Sequence, residues 1–268
     1  MLRSGRFFLQ AHAVSDQGKV RSNNEDNFFA DGIINPDPQL GGDIYIESKR
    51  LTNHVFAVCD GMGGESYGED ASELAVSILK DHYSSIKKAR KSEINEAVDN
   101  YATDANNRIC DMISQRQCSN SGTTLAMLCF RYDHAYPFYI GDSRIYLYDG
   151  FDLYALSKDQ TLAVEMLQYG VYTPEQAEMS YDRNKLIHFL GEDKEGKGLK
   201  ATAQPPIALK KGMRFLICSD GLTDMCSDLT LYEILSDPEQ KDYAQALVQS
   251  ALDAGGTDNI TAIVIEIL

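Results

Sequence analysis

Four aspartates stand where β-favouring or apolar runs meet glycine or another small residue: Asp60 in Val55-Phe56-Ala57-Val58-Cys59-Asp60-Gly61-Met62-Gly63-Gly64, Asp142 in Gly141-Asp142-Ser143-Arg144, Asp220 in Cys218-Ser219-Asp220-Gly221 and Asp258 in Gly256-Thr257-Asp258-Asn259. Glu25 and Asp26 precede a further short strand, and Arg21 lies four residues before Glu25. Carboxylates gathered without a cation repel one another and lose solvation. A divalent ion resolves that, and a donor set of oxygen alone, with neither cysteine nor histidine in it, selects Mg2+ or Mn2+ over zinc. Two such ions roughly 3.5–4 Å apart, bridged by one carboxylate and one water, yield a hydroxide at neutral pH and clamp a phosphate for in-line displacement. Arg21 then supplies the planar fork for phosphate oxygens. Taken singly, each residue has a bland reading, and Arg21 beside two acids is a surface ion pair. The matched settings of the four aspartates carry the chemistry.

The chain holds its own controls, because Asp-Gly occurs at residues 31, 60, 149 and 220. Asp149-Gly150 lies between Tyr146-Leu147-Tyr148 and Phe151-Asp152-Leu153-Tyr154, the alternation of an ordinary hairpin, and Asp31-Gly32 looks equally ordinary. Asp60-Gly61 and Asp220-Gly221 instead end dense apolar runs and are not followed by a return strand. There glycine lets backbone amides and carbonyls approach whatever the carboxylate holds.

Positioning these residues requires strands. Val55 to Cys59 is an uninterrupted apolar run, predicting a strand buried on both faces, and Met213 to Cys218 repeats the pattern. Phe7 to Val14, Thr123 to Phe130, Tyr136 to Ile140, Ile145 to Tyr148 and Ile260 to Leu268 are further expected strands, and residues 31–54 a hairpin excursion. From Gly68 to about Gln117 apolar residues recur at helical spacing, predicting two amphipathic helices broken near Ala89 to Ser92. Two shorter helices are expected around 229–236 and 239–253. Residues 159–190 read as irregular and helical, with Thr173 as N-cap and Pro174 at the first helical position. Strands in runs with helices in blocks predict an α+β layered architecture.

The chain has 268 residues with no linker or low-complexity tract dividing it, so one domain over 1–268 is expected. A formal net charge of −15 argues against a nucleic-acid partner. No run of about 18 apolar residues predicts a membrane span. The six cysteines show no metal-type pairing, and Cys59, Cys129 and Cys218 lie inside apolar runs as small hydrophobes, an expectation of a cytoplasmic location.

Six blocks together, Arg21 to Asn24-Glu25-Asp26, Asp60-Gly61-Met62-Gly63-Gly64, Ser121-Gly122-Thr123-Thr124, Gly141-Asp142-Ser143-Arg144, Ser219-Asp220-Gly221-Leu222 and Asp258-Asn259-Ile260-Thr261, resemble the metal-dependent protein phosphatases (protein phosphatase 2C, PPM), and in particular their bacterial serine/threonine branch. The resemblance implies a four-layer αββα sandwich, two antiparallel β-sheets face to face with a helix pair on each outer side. It implies that Asp60 bridges two Mn2+ or Mg2+ ions, that Gly61 lends its carbonyl to one, and that Asp220 and Asp258 complete the other. Glu25 and Asp26 would hold metal-bound waters, Asp26 orienting the attacking one. Asp142 with Asp220 resembles the pair that takes a third ion. Residues from about Ala163 to Arg183, with Gly170, Thr173 and Pro174, would form a flap beside the site. Water attacks directly, without a phosphoenzyme. Substrates would be phosphoserine and phosphothreonine proteins, a cognate serine/threonine kinase among them, and the enzyme a monomer with no membrane partner.

There are departures from the family's pattern. Met62 stands where many eukaryotic members have a histidine, so a metal-bound water is the expected proton donor to the leaving group. Gln160 replaces a histidine and His188 an arginine, which bear on flap contacts and substrate preference. Cys110 and Arg116 mimic the spacing of a cysteine-dependent phosphatase, but the intervening residues hold no glycine and continue a helix. Gly191 to Gly196-Lys197 has the outer spacing of a P-loop without its Ser/Thr or a buried leading strand. The five histidines are scattered, with packing or surface roles expected for each. Two other functions remain at this level: a catalytically silent relative that binds phosphoproteins, against which the intact carboxylates and Arg21 argue, and a metal-dependent phosphatase for a small-molecule phosphate.

Overall fold

A computed structural model describes residues 7–35, 37–63, 67–117, 121–192 and 198–268, with the side chain of residue 40 outside the description. Gly64, Cys118 and the Gly196-Lys197 end of the P-loop look-alike therefore lie outside the described residues. In chain order the first strands are β1 (Phe8–Asp16), β2 (Asp26–Ala30), β3 (Ile33–Ile34), β4 (Gly42–Arg50) and β5 (Asn53–Met62), followed by helices α1 (Tyr67–Lys88) and α2 (Ile94–Arg116). Then come β6 (Gly122–Thr123), β7 (Leu125–Arg131), β8 (His134–Ile140), β9 (Arg144–Tyr148) and β10 (Leu153–Ala155), and the short helices α3 (Leu162–Gln168) and α4 (Pro174–Met179). The chain closes with β11 (Thr202–Ala203), β12 (Ile207–Ala208), β13 (Arg214–Cys218), α5 (Asp220–Thr223), α6 (Asp228–Ser236), α7 (Tyr243–Asp253) and β14 (Ile260–Ile267).

Two antiparallel sheets result, one in the order β10-β9-β13-β14-β1-β4 and one in the order β11-β8-β7-β5-β2-β3, with β12 paired to β8 and β6 to β5. The alternation of side chains along a strand assigns each residue of the central strands to one of two cores. In β5, Phe56 and Val58 pack between the sheets, whereas Val55, Ala57 and Cys59 pack under α1 and α2. In β13, Phe215 and Ile217 face the other sheet, and Leu216 and Cys218 face α6 and α7. Both faces of these runs are buried, which is why they are apolar without alternation. Three cores separate four layers: helices, sheet, sheet, helices.

The expected break between the long helices falls at residues 89–93, and Lys87 and Lys88 in the last turn of α1 suit the negative end of its dipole. Cys110 and Arg116 both lie in α2, so the cysteine-phosphatase spacing is a stretch of helix. Several boundaries differ from expectation, and the single strand expected over Thr123 to Phe130 divides into β6 and β7. Strand β5 continues through Asp60 to Met62, because Gly61 and Met62 find partners in Thr123 and Gly122. Helix α7 begins at Tyr243 rather than 239, because Asp242 caps it by accepting from the Gln245 amide at 3.0 Å.

Candidate active site

Register brings the carboxylates to one end of the sandwich. Asp26 and Asp60 are directly opposed on β2 and β5. In the other sheet Cys218 is paired with Ala262 and with Arg144, so Asp220, Asp142 and Asp258 leave the same edge through the turns that follow or precede those strands. Glu25 is added by backbone, its carbonyl accepting from the Gly61 amide at 3.0 Å and its amide donating to the Asn259 side chain at 2.8 Å.

The glycines of Asp60-Gly61 and Asp220-Gly221 serve these approaches. A Cβ on Gly61 would lie 2.1 Å from the Gly68 carbonyl oxygen and 2.7 Å from that of Glu25. On Gly221 it would lie 2.0 Å from the Asn259 carbonyl oxygen. Gly150 is different: nothing lies within 4 Å of its missing Cβ, and its φ of +104° is a turn requirement alone. Asp149-Gly150 is thus the hairpin expected, between β9 and β10. Asp31-Gly32 also turns between β2 and β3, but its carboxylate is not ordinary. It is buried among His54 at 2.8 Å, Lys49 at 2.5 Å and the Tyr83 hydroxyl at 2.6 Å. Those partners hold its pKa below the usual carboxylate range against the opposing push of burial. That network also gives His54 a buried hydrogen-bonding role that its scattered place in the sequence did not signal.

Asp26 is 1% exposed. One of its oxygens accepts from the Ser219 hydroxyl at 2.6 Å, while Oδ1 is buried without a hydrogen-bond partner. Burial, then the charges of Asp220 and Asp258, push its pKa up to about 7, with Ser219 and Thr261 opposing. Burial, then Asp258, push Asp220 up to about 6, with Asp60 as a hydrogen-bonding neighbour opposing. Asp60 is raised well above the usual range by burial and then by Asp26, Asp220, Asp142 and Asp258 together. Asp142 is raised by burial, Asp220 and Asp159, and Glu25 by burial foremost. Asp26, Asp60, Asp142 and Asp220 are thus linked by mutual repulsion, and the charge of Asp258 acts on Asp26, Asp60, Asp220 and Glu25, forming one electrostatic cluster.

The orphaned Asp26 oxygen and an all-oxygen donor set of clustered, mostly buried carboxylates fit hard divalent cations. Among the described residues no three acidic, histidine or cysteine side chains are already closed around one point as a finished cage. Asp258 is engaged by Arg21 at 2.6 Å, so this arginine sits on a ligand candidate at the mouth of the site. It remains half exposed, within reach of an incoming anion.

Residues that the sequence reading passed over hold the carboxylates. Thr124 accepts from the Asp60 amide at 2.9 Å and meets the Ser143 hydroxyl at 2.6 Å, coupling Asp60 to the Asp142 turn. Thr123 donates its hydroxyl to the Asp60 carbonyl at 2.9 Å. Asn259 fastens the Arg21 loop by donating to the carbonyls of Gln17 and Asn23, each at 2.8 Å. Ser121-Gly122-Thr123-Thr124 and Asp258-Asn259 were visible as blocks, but a hydroxyl or amide shows its task only once its partner is known. Gln160, singled out as a departure, accepts from the Gly141 amide at 2.8 Å and donates to Thr202 at 2.9 Å, clasping the turn that carries Asp142.

Beside the cluster lies a cleft of about 390 Å³. Asp142 and Asp220 form its inner wall, and Ala163, Val164, Ala177 and Arg183 of the 163–183 segment form the outer one. Arg183 crosses to Asp224 at 2.8 Å. Thr173 and Gln176 make a reciprocal capping box with Pro174 at the helix start, and Gly170 follows α3 at φ +70°. These three predicted flap residues shape the segment and do not line the cleft.

The family model for protein phosphatase 2C matches residues 43–254. The chain is 31% identical over 254 residues to protein phosphatase PhpP of Streptococcus pneumoniae, covering 94% of this chain and 95% of that protein. It is 30% identical over 265 residues to serine/threonine protein phosphatase PstP of Mycobacterium tuberculosis, covering 97% of this chain but 45% of that protein, so it spans about half the length of that relative. The crystal structure of the PstP catalytic domain in complex with two manganese ions superposes with a TM-score of 0.75 at 29% identity, over 97% of this chain and 99% of that one. Sheet order, clustered carboxylates and these matches agree, and the chain belongs to the protein phosphatase 2C family.

Proposed function

We propose that this chain is a Mg2+- or Mn2+-dependent serine/threonine protein phosphatase that hydrolyses phosphoserine and phosphothreonine by direct attack of water. The observation that carries this is the convergence of Asp26, Asp60, Asp142, Asp220, Asp258 and Glu25 on one end of the sandwich, with Arg21 at its mouth. Asp60, Gly61, Asp220 and Asp258 would hold two ions, with Glu25 and Asp26 behind them, and Asp142 with Asp220 a third. Divalent cations held there supply Lewis-acid polarisation of the phosphoryl group and a nucleophilic water at neutral pH. Asp26, with one oxygen fixed by Ser219 and Oδ1 free of any hydrogen-bond partner, would orient the attacking water and accept its proton. Arg21 binds the phosphate oxygens as a fork. The 163–183 segment walls the cleft on the substrate side. The bacterial relatives named as serine/threonine phosphatases support phosphoproteins as substrates; that a cognate serine/threonine kinase is among them and that the enzyme is a monomer are parts of the proposal.

The test is manganese-stimulated release of phosphate from p-nitrophenyl phosphate and from a phosphothreonine peptide, with wild type and Asp60→Asn. Both activities should fall by a factor of about 10³ or more in the variant. Turnover of p-nitrophenyl phosphate and small phosphometabolites without peptide turnover would assign a small-molecule phosphatase, and no turnover of either a silent phosphoprotein binder.

A further inference from the structure

The pole of the molecule opposite the carboxylates is basic. Helix α1 starts against the site, where Gly68 packs on Gly61, and runs 22 residues away from it, about 33 Å at 1.5 Å per residue. It ends in Lys87-Lys88, and Ala89-Arg90-Lys91 follows at once. Lys49, beside Arg50 at the end of β4, meets Lys87 across the shared Asp31 carboxylate, at 2.5 and 3.6 Å. In a chain of net charge −15, this is a local reversal of sign.

Part of that charge is compensated. Arg90 pairs with Glu93, and Lys91 with Asp133 at 2.9 Å. Among the described residues no carboxylate pairs with Arg50 or Lys88, both of them exposed. Behind them lies Arg131, 2% exposed and directly opposite Asn53 in the sheet. Its guanidinium donates to the carbonyls of Phe130 and Ile86, Nε has no partner, and none of its hydrogen-bond or ion-pair partners among the described residues is a carboxylate. A buried cation satisfied only by carbonyls leaves its charge to be felt at the nearby surface.

That surface is a groove of about 630 Å³ between the start of β5 and the last turns of α1, lined by Thr52, Asn53, Tyr83, Ser84, Lys87 and Lys88. The Asn53 amide donates to the Lys87 carbonyl at 2.8 Å, and its Oδ1 is buried without a partner. Concave and edged by Lys88, unpaired among the described residues, with Lys87 held between Asp31 and the Tyr83 hydroxyl, the groove suits an extended acidic peptide better than a flat lipid surface.

We infer that this groove docks an acidic segment of the phosphoprotein substrate while a phosphorylated residue elsewhere on the same substrate occupies the carboxylate end. The inference rests on the phosphatase reading above. An otherwise acidic protein repels such substrates, and a cationic pole offers them one attractive landing point. With about 33 Å between the two places and at most ~3.6 Å per extended residue, the acidic segment must lie at least about ten residues from the phosphorylated one. Tethering raises effective concentration, so KM falls and kcat does not change.

The experiment compares a short phosphothreonine peptide with the same peptide joined through about 14 glycine and serine residues to six glutamates, on the N-terminal side in one version and the C-terminal side in another. Wild type should show a KM about fivefold or more lower for a tailed peptide at low salt, an advantage lost near 0.5 M salt, with kcat unchanged. Arg50→Ala/Lys88→Ala, which removes two exposed side chains without carboxylate partners, and Lys87→Ala/Lys88→Ala should both abolish the advantage while leaving the short peptide and p-nitrophenyl phosphate untouched. Fluorescence anisotropy of labelled hexaglutamate with the same proteins reads the groove independently of catalysis. Failure of all hydrolysis thus sinks the phosphatase reading, while wild-type and variant proteins binding hexaglutamate alike sinks the docking site. A tail without effect in either direction, an advantage that survives both variants, or lysine-dependent flotation with phosphatidylglycerol vesicles in place of the tail effect would overturn the inference.

Discussion

A methyl group on Gly61 or Gly221 would sit about 2 Å from a backbone carbonyl oxygen of the neighbouring segment, closer than any hydrogen bond allows. Neither segment can retreat, since each also positions a carboxylate: Gly68 opens α1 beside the Glu25–Gly61 contact, and Asn259 follows Asp258. Gly61→Ala and Gly221→Ala should therefore destabilise the fold by roughly 2–3 kcal/mol and depress activity further than the fraction unfolded explains. Gly150→Ala meets empty space and should cost about 1 kcal/mol through its positive φ alone, with full activity. Urea melts and initial rates on all three separate the cases. Equal stability of Gly61→Ala and Gly150→Ala would remove the close-approach argument. The four Asp-Gly pairs also mark how far residue-level reading reaches. Flanking runs separated the two hairpin pairs from the two at the site, but nothing in Ala30-Asp31-Gly32 announced a buried carboxylate shared by Lys49, His54 and Tyr83.

Among the elements, the turn between β8 and β9 depends on a residue outside it. Gln160 exchanges backbone hydrogen bonds with its surroundings, donating to the Gly141 carbonyl at 3.1 Å and accepting from the Ile187 amide at 2.9 Å, while its side chain holds the Gly141 amide. It thus links the Asp142 turn to the stretch leaving the 163–183 segment. Gln160→Ala should cost about 1 kcal/mol and loosen Asp142. The manganese concentration for half-maximal activity should rise about threefold or more with little change in kcat at saturation. An activation curve identical to wild type would show that the turn stands without this clasp. The central strands were legible because burial on two faces demands unbroken apolar runs. The start of α7 was not, because Asp242 competes with an equally acidic upstream stretch and wins through its cap.

For the molecule as a whole, the cluster makes stability depend on pH in a definite direction. Asp26 and Asp220 are pushed up to about 7 and about 6 by burial and then by neighbouring charge, whereas unfolded carboxylates titrate near ~4. Between those values the folded chain keeps protons that the unfolded chain has released, so stability is greatest below about pH 4 on this account and is lost as pH rises through 6 and 7. With EDTA present, the thermal midpoint should fall between pH 5 and pH 8, by on the order of 2 kcal/mol of stability. Asp60→Asn should flatten the fall, and excess Mn2+ should reverse it by binding the ionised cluster. Calorimetry at the two pH values decides, and a midpoint that rises with pH in EDTA would contradict the mutual repulsion described above.

From sequence alone came the strands, the long helix pair, the family and the identity of the acidic residues, because buried runs, helical spacing and Asp-Gly context are local properties of the chain. Tertiary structure alone decided which side chains meet: Asp26 opposite Asp60, Ser219 on Asp26, Arg21 on Asp258, and Arg131 behind Lys87 and Lys88. Those pairings join residues dozens to hundreds of positions apart. They follow from strand register and sheet order, which depend on how all the apolar faces pack at once and so are not written in any one segment.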